Sequence, residues 1–279
     1  MWVAKTKSEF IEKRKTLPYP IVLVPTMGAL HSGHEALIRL AREKAGTAGT
    51  VLVSIFVNPI QFDRKSDLEN YPRPIEDDLS ICQTNHADGV FIPENHEMYF
   101  ADRSTAVIES KLSKHLCGAT RPGHFDGVCT VVLKLFNLTG CHSAVFGEKD
   151  FQQLTIIRRM IRDLDLSVQI IEHPTVRESD GLALSSRNKL LKQEHRGDAP
   201  RIRKALLSAS KYQNAEQILD STRTELQKSP YGKIDYLSLV DSESLEPVDS
   251  LTKPSVLACA IFYGEVRLID HIQVPPIPQ

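Results

Sequence analysis

Two histidines three residues apart, His31 and His34, enclose a serine and a glycine at the start of a predicted helix. Gly33 lets a phosphate chain approach the backbone, and free N–H groups at a helix start favour an anion. A histidine also donates a hydrogen bond that strengthens as charge develops on a transferring phosphate group. The pattern favours a phosphate site over zinc, because no third ligand stands at a metal spacing. An ordinary helix-capping turn explains an isolated His-x-Gly-His equally well.

A second candidate phosphate contact is the loop Leu184-Ser185-Ser186-Arg187. Its guanidinium is permanently charged and can clamp two phosphate oxygens at once. Lys149 adds another local positive charge. Such a loop by itself is weak evidence, because Ser-Ser-Arg segments are common and usually only solvated.

These residues need strands and helices to position them, and the apolar pattern predicts both. Short runs rich in valine, isoleucine and leucine indicate strands buried on both faces, and runs with a helical period lie between them. The predicted strands are residues 21–24, 51–57, 89–92, 144–146 and 168–171, and the helical patterns are residues 35–45, 128–136 and 151–164. This alternation predicts an α/β fold with a Rossmann-like parallel sheet and helices on both faces.

Polar and glycine-bearing segments directly follow four of these predicted strands. They are residues 25–34, 58–62, 147–153 and 173–177. Because ligands of open parallel sheets bind beyond the carboxyl ends of the strands, we expect these segments to converge at one edge of the sheet.

The pattern changes after residue 176. Residues 196–228 read as two helices, and residues 234–240, 256–263 and 266–272 read as strands. Only Gly264 and Glu265 separate the last two strands, which is a hairpin signal. We therefore expect residues 1–176 to form a Rossmann-like domain and residues 177–279 a smaller α+β domain.

Composition restricts the function classes. The 279 residues carry a formal net charge of -1, which gives no general positive field for nucleic acid or an anionic membrane. No segment is apolar and long enough to span a bilayer or to act as a secretory signal, so we expect a cytoplasmic protein. The five cysteines are odd in number and widely spaced, which favours small buried side chains over disulfides or a structural zinc.

Long motifs in a fixed order resemble one family. The stretches PTMGALHSGH, SIFVNPIQF, RPGHFDGV, FGEKDFQQ and DGLALSSRN are similar to pantothenate synthetases, within the superfamily of nucleotidyltransferases. The resemblance implies ATP-dependent condensation of pantoate with β-alanine to pantothenate. A pantoyl adenylate would form first, and AMP and pyrophosphate would be released. It also implies Mg²⁺ with ATP and a homodimer. For the two domains it implies nucleotide and pantoate binding by residues 1–176 and a lid role for residues 177–279.

The resemblance implies roles for individual residues. The implied catalytic residues are His34, His31, Lys149 and Arg187. The implied ATP contacts are Met27, Gly28, Ala29, Leu30, His31, Ser32, Gly33, His34, Gly147, Glu148, Lys149, Asp150, Val176, Leu184, Ser185, Ser186 and Arg187. Gln61 and Gln153 would hold pantoate, and Gln61 would also contact β-alanine. Asn58, Tyr71, Arg121 and His124 would either line the pantoate pocket or brace its loops.

Two other functions compete with this interpretation. An adenylyltransferase that stops after transferring AMP to a phosphorylated acceptor should carry extra arginine or lysine near Gln61 and Gln153, where the immediate neighbours are uncharged. A non-catalytic nucleotide- or RNA-binding module should lack the two histidines.

The sequence departs from the family at Cys117, where the family leads us to expect an acidic residue. This departure affects the expected packing of the loop around Cys117.

Overall fold

The computed structural model describes residues 1–277, and its larger sheet has six parallel strands in the order β1-β4-β3-β2-β5-β6. The strands are β1 (Trp2–Ala4), β2 (Ile21–Thr26), β3 (Thr50–Ile55), β4 (Gly89–Phe91), β5 (Ser143–Gly147) and β6 (Gln169–His173). The central strand β3 is buried along its whole length, as the continuous apolar run requires. The predicted Rossmann-like parallel sheet is confirmed.

The edge strand β1 was not predicted. Its three residues are too few to show a periodic pattern, and parallel pairing with β4 makes it a strand. Gly89 allows this pairing, because a Cβ atom at that position would overlap the Trp2 indole.

Helices connect and cover these strands. They are α1 (Lys7–Arg14), α2 (Ser32–Ala45), α3 (Lys65–Glu69), α4 (Ile75–Thr84), α5 (Asn95–Met98), α6 (Leu116–Thr120), α7 (His124–Thr139) and α8 (Phe151–Asp163). One apolar cluster joins β2, β3, β4 and β5 to α2, with Ile38, Val53 and Val90 fully or almost fully buried. The three helical patterns of this part of the sequence therefore correspond to α2, α7 and α8.

The carboxyl-terminal part contains a three-stranded antiparallel sheet in the order β7-β8-β9. Its elements are α9 (Gln193–Asp198), α10 (Arg201–Ala209), α11 (Ala215–Gln227), β7 (Gly232–Asp241), β8 (Ser255–Tyr263) and β9 (Val266–Val274). The predicted hairpin joins β8 to β9 through Gly264 and Glu265, and the α+β class is confirmed. Three helices, rather than the expected two, precede the sheet.

The chain divides into two compact units. Unit 1 comprises residues 1–110, 121–148 and 153–174, and unit 2 comprises residues 111–120, 149–152 and 175–279. Each unit has its own apolar cluster, and the cluster of unit 2 includes Leu206, Ile218 and Leu257. Within residues 1–277, no helix combines the length and the apolar character needed to cross a bilayer.

A buried ion pair ties the start of the 177–188 segment to β9 within unit 2. The Arg177 guanidinium donates to both carboxylate oxygens of Asp270, at 2.7 and 2.9 Å, and to the carbonyl of Gly181 at 3.1 Å. Asp270 also accepts from the backbone N–H of His271 at 2.8 Å. Burial lowers the pKa of His271, which favours its neutral form next to this pair.

We predict that Asp270→Asn destabilises the protein by about 3 kcal/mol, because a buried guanidinium loses its charged partner. Urea denaturation followed by circular dichroism measures this change. The control is Glu12→Gln, which removes an exposed ion pair with Lys15 and should change stability by less than about 0.5 kcal/mol. Equal effects of the two substitutions would contradict the assignment of Asp270 as a structural anchor.

Candidate active site

The ends of four parallel strands lie side by side at one edge of the larger sheet. Thr26 at the end of β2 is paired with Ile55 at the end of β3, and Gly147 at the end of β5 is paired with His173 at the end of β6. β2 and β5 are themselves neighbours. The polar segments after these strands therefore begin at the same edge, as the sequence predicted.

His31 and His34 cap the start of α2 reciprocally. The Nδ1 atom of His31 accepts from the N–H of Gly33 at 3.1 Å, and the Nδ1 atom of His34 accepts from the N–H of His31 at 3.3 Å. The ring centroids are 4.2 Å apart. Because each Nδ1 atom accepts a hydrogen bond, the proton of each neutral ring must be on Nε2. Both imidazoles then present an N–H donor at the ring edge remote from the backbone.

The backbone N–H groups around the two histidines are largely occupied, which differs from the expectation of a helix start with free N–H groups. The N–H groups of His31 and Gly33 donate to the two imidazoles. The N–H of Gly28 donates to Thr26 Oγ1, and those of Ala29 and Leu30 donate to the Asp78 carboxylate. The backbone amides of Gly28, Ala29 and Leu30 therefore hold the turn itself.

Asp78 of α4 is the main residue that sequence reasoning missed in this region. Its side chain is fully buried and accepts from the N–H groups of Ala29 at 2.9 Å and Leu30 at 2.7 Å. These contacts hold a turn in which Gly28 and Ala29 both have positive φ angles, 79° and 51°. In the sequence Asp78 is one of three acidic residues at the start of a helix, and nothing local distinguishes it from the other two.

Gln61 ends a short 3-10 turn, Pro59–Gln61, just after β3. Its side chain is buried and lies between the Met27 sulfur, 3.0 Å from Nε2, and the Asn58 amide, 3.0 Å from Oε1. The predicted ATP contact Met27 and the predicted pantoate contact Gln61 are therefore brought together. His124 Nδ1 lies 2.7 Å from the Gln61 carbonyl oxygen, so His124 braces this turn.

The predicted contacts after β5 form a short turn and the first turn of α8. Gly147 ends β5, Glu148–Asp150 forms a 3-10 turn, and Gln153 is half-buried on α8. Lys149 Nζ lies 3.9 Å from the Asp150 carboxylate, and the Lys149 side chain is only 22% exposed.

The Ser-Ser-Arg segment in unit 2 has a defined backbone shape. Ser185 Oγ accepts from the N–H of Arg187 at 3.2 Å, and Asn188 Nδ2 donates to Glu178 Oε1 and to the Ala183 carbonyl. The carbonyl of Val176 accepts from the N–H of Leu184 at 3.0 Å. The predicted residues Val176, Leu184, Ser185 and Arg187 therefore belong to one ordered turn.

Cys117 is packed where an acidic residue was expected. Its sulfur lies 3.4 Å from Tyr236 Oη and accepts from Arg267 at 3.4 Å, while Asp235 supplies the carboxylate for that arginine at 2.7 Å. Burial and the neighbouring Cys117 thiol raise the pKa of Tyr236 well above its usual value. All five cysteines are buried and unlinked.

We predict that Asp78→Asn lowers the free energy of unfolding by about 2 kcal/mol, since the amide leaves one N–H of the 28–30 turn facing a donor. Thermal and urea unfolding measure the change. Asp77→Asn on the same helix is the matched control, because the Asp77 side chain is exposed and its loss should change stability by less than about 0.5 kcal/mol.

We predict that the ion pair of Asp63 and Arg121 makes a pH-dependent contribution to the free energy of unfolding. Asp63 Oδ1 and Arg121 Nε are 2.9 Å apart. Burial alone would raise the pKa of Asp63, but the Arg121 hydrogen bond and charge outweigh it, so the pKa lies below the ordinary 3.8. Stabilisation by the ionised group is therefore complete above its unfolded-state pKa and is lost as the pH falls through the lower folded-state pKa.

We expect the stability difference between the wild type and Asp63→Asn to be constant from about pH 5 to 7, at roughly 0.5–1 kcal/mol, because solvent screens this pair. It should shrink below about pH 4, the ordinary range of an aspartate pKa. Urea titrations at each pH measure it. A difference that grows on acidification would contradict the pairing.

Known proteins that match this chain carry consistent names. The family model described as Pantoate-beta-alanine ligase matches residues 3–273. A pantothenate synthetase of Akkermansia muciniphila is 51% identical over 258 residues, which are 91% of this chain and 92% of the relative. A pantothenate synthetase of Thermotoga petrophila is 47% identical over 272 residues, covering 96% of this chain and 95% of that protein.

Solved structures agree with this result. The crystal structure of pantothenate synthetase from Thermus thermophilus matches with a TM-score of 0.93 and 40% identity over 99% of this chain and 100% of that one. The pantoate-beta-alanine ligase from Francisella tularensis, crystallised with an ATP species and β-alanine, matches with a TM-score of 0.82 and 32% identity over 98% and 97% of the two chains. By its motifs, its sheet and these relatives, the chain belongs to the Pantoate-beta-alanine ligase family.

Proposed function

We propose that this protein condenses pantoate with β-alanine at the expense of ATP, through a pantoyl adenylate, and releases pantothenate, AMP and pyrophosphate. Family membership supports the overall reaction. The observation that carries the proposal is the reciprocal capping of His31 and His34 at the carboxyl edge of the sheet. It fixes two N–H donors on neighbouring rings without using a charged side chain.

In the first proposed step, a carboxylate oxygen of pantoate attacks the α-phosphorus of ATP. The new O–P bond forms as the bond from that phosphorus to the bridging oxygen breaks, and pyrophosphate leaves with the bonding electrons. His31 and His34 donate Nε2–H hydrogen bonds to phosphate oxygens, and Lys149 and Arg187 offset the charge of the leaving group. Gln61 and Gln153, being neutral, orient pantoate and leave its carboxylate nucleophilic.

In the second proposed step, the neutral amine of β-alanine attacks the carbonyl carbon of the mixed anhydride. The C–N bond forms, the C–O bond to AMP breaks with its electrons going to the AMP oxygen, and the amine nitrogen loses a proton to solvent. Gln61 contacts β-alanine in this step. No enzyme group becomes covalently attached, so the side chains act through alignment and charge stabilisation.

The remaining predicted ATP contacts belong to the same proposal. The segment Met27 to His34 borders ATP, Gly147 to Asp150 contacts the nucleotide, Val176 gives a backbone contact to adenine, and Leu184 to Arg187 contacts the phosphates. We assign nucleotide and pantoate binding to residues 1–176, and a lid role to residues 177–279. The single ordered turn that contains Val176 and Ser185 supports treating its residues as one functional group.

The side chains of this protein fit a hydrated Mg²⁺ carried by ATP. Within residues 1–277, no group of three or more histidine, cysteine, aspartate or glutamate side chains is arranged to hold a metal ion by itself. Mg²⁺ usually keeps several water ligands and is held by substrate phosphates together with one or two carboxylates. Asp150 offers one such carboxylate, because its side chain is 50% exposed. When bound, the ion would neutralise charge on the phosphate oxygens.

We also propose a cytoplasmic homodimer. Two large apolar side chains of unit 1, Phe100 at 62% exposure and Ile108 at 73%, are available for a protein contact. Light scattering of the purified protein should give twice the chain mass of 31.3 kDa. A concentration-independent monomer would remove this part of the proposal.

The reaction is tested by its products and by isotope exchange. Labelled pyrophosphate should exchange into ATP when pantoate is the only acid supplied, and β-alanine should then trigger stoichiometric release of AMP. Exchange that does not require pantoate, or ADP as the product, would overturn the proposal.

We predict that His34→Ala lowers the rate of pantoate-dependent exchange by at least about 100-fold, the usual cost of removing one donor to developing charge. The melting temperature should fall by only a few degrees, because the lost helix cap contributes about 1 kcal/mol. His96→Ala, which alters an exposed histidine, should leave the rate unchanged. Loss of activity that simply follows loss of folded protein would assign His34 a structural role.

A further inference from the structure

We propose that Tyr99 is a positioning residue that acts through Asn58 to fix which end of the Gln61 amide meets the substrate. In this arrangement Gln61 presents its NH₂ group, so the pocket accepts a substrate oxygen that carries lone pairs. This inference rests on the proposed function, because it assumes that Gln61 contacts pantoate. All of the residues concerned belong to unit 1.

The three side chains form one continuous set of hydrogen bonds. Tyr99 Oη donates to Asn58 Oδ1 at 2.8 Å, and Asn58 Nδ2 donates to Gln61 Oε1 at 3.0 Å. Asn58 Nδ2 also donates to the backbone carbonyl of Gly127 at 3.0 Å. Asn58 is 1% exposed and Gln61 is 7% exposed, so water has little access to compete for these bonds.

The direction of these hydrogen bonds is determined by the two groups at the ends. The Gly127 carbonyl can only accept, so the Asn58 side chain must direct its NH₂ group there. Its oxygen therefore faces Tyr99, which must donate. Burial raises the pKa of Tyr99 well above its ordinary value, so the phenol keeps its proton at neutral pH. The orientation of an amide, which coordinates alone rarely establish, is thus set by its partners.

The orientation of Gln61 follows from that of Asn58. Both hydrogens of Asn58 Nδ2 are used, one for Gln61 Oε1 and one for Gly127, so Asn58 has none left for a substrate. Asn58 therefore positions Gln61 and does not bind pantoate through its NH₂ group. The NH₂ group of Gln61 points away from Asn58 toward the Met27 sulfur, which is a weak acceptor that a substrate oxygen can replace.

The backbone is shaped to allow this arrangement. A Cβ atom at Gly127 would lie 2.6 Å from the Ile60 carbonyl oxygen and 2.8 Å from Gln61 Cα. Only glycine therefore lets α7 approach the Pro59–Gln61 turn closely enough for its carbonyl to reach Asn58. The ring of Tyr99 is held independently of its hydroxyl, by Phe56 at 6.1 Å and by the cations of Arg103 at 5.3 Å and Lys134 at 5.7 Å.

The first test is Tyr99→Phe, which removes the donor and keeps the ring. We expect the KM for pantoate to rise about tenfold, because losing one hydrogen bond of the set leaves Asn58 and Gln61 less well oriented. The KM for ATP should stay within about twofold, and the melting temperature within a few degrees. Tyr19→Phe is the matched control, since Tyr19 is 67% exposed.

The second test is Asn58→Asp, which keeps the shape and removes the NH₂ group. The new carboxylate can only accept, so Gln61 must turn its NH₂ group toward position 58 and present its oxygen to the substrate. We expect the KM for pantoate to rise at least about 100-fold, because the Gln61 oxygen and the substrate oxygen are both acceptors and would face each other in a buried site. The dissociation constant for ATP, measured by calorimetry, should change by less than about threefold.

The outcomes separate this proposal from the proposed function. If the wild-type protein shows no pantoate-dependent exchange, the proposed function is wrong, and the role of Tyr99 in pantoate binding is overturned with it. If the wild type is active, an unchanged KM for pantoate in either variant overturns the role of Tyr99 and Asn58. Equal losses of pantoate binding, ATP binding and thermal stability also overturn it, because they indicate a general structural effect.

Discussion

Parallel pairing of β2, β3, β5 and β6 is the constraint on which the rest of unit 1 depends. Parallel strands that are neighbours in a sheet end at the same edge, so their following segments start close together whatever their separation in the chain. Thr26 and Ile55 are paired across β2 and β3 although 29 residues separate them in sequence. The pairing brings the turn before α2 next to the turn that holds Gln61, and Met27 contacts Gln61 as a result.

The backbone of the turn before α2 is used to hold its own shape. A glycine-rich phosphate loop directs several backbone N–H groups at its ligand. Here the N–H groups of Ala29 and Leu30 donate to Asp78, and those of His31 and Gly33 donate to the two imidazoles. The donors that we propose for phosphate in this turn are the Nε2–H groups of the two histidines. The proposed phosphate contacts of this region therefore depend on ring orientation, and the caps fix that orientation.

Buried polar side chains anchor the loops in both units. Asp78 holds the 28–30 turn, Asn58 holds Gln61, and Asp270 holds Arg177 at the start of the 177–188 segment. Each anchor is more than nine-tenths buried. Because a buried polar group without a partner costs free energy, each anchor strongly favours one loop conformation. Defined loop geometry is what a reaction governed by alignment requires.

The sequence by itself determined the fold class, most of the strands, the helices α2, α7, α8, α10 and α11, and the family. Continuous apolar runs identify strands buried on both faces, and the long motifs around His34, Gln61, Lys149 and Arg187 identify the family, because both signals are local in the chain. The short strand β1 and the helices α1, α3, α4, α5, α6 and α9 were not predicted, because most of them are too short to show a clear periodic pattern. Tertiary structure alone decided the roles of Asp78 and Tyr99. Each contacts residues 40 or more positions away, and such pairings leave no trace in the composition or periodicity of one sequence.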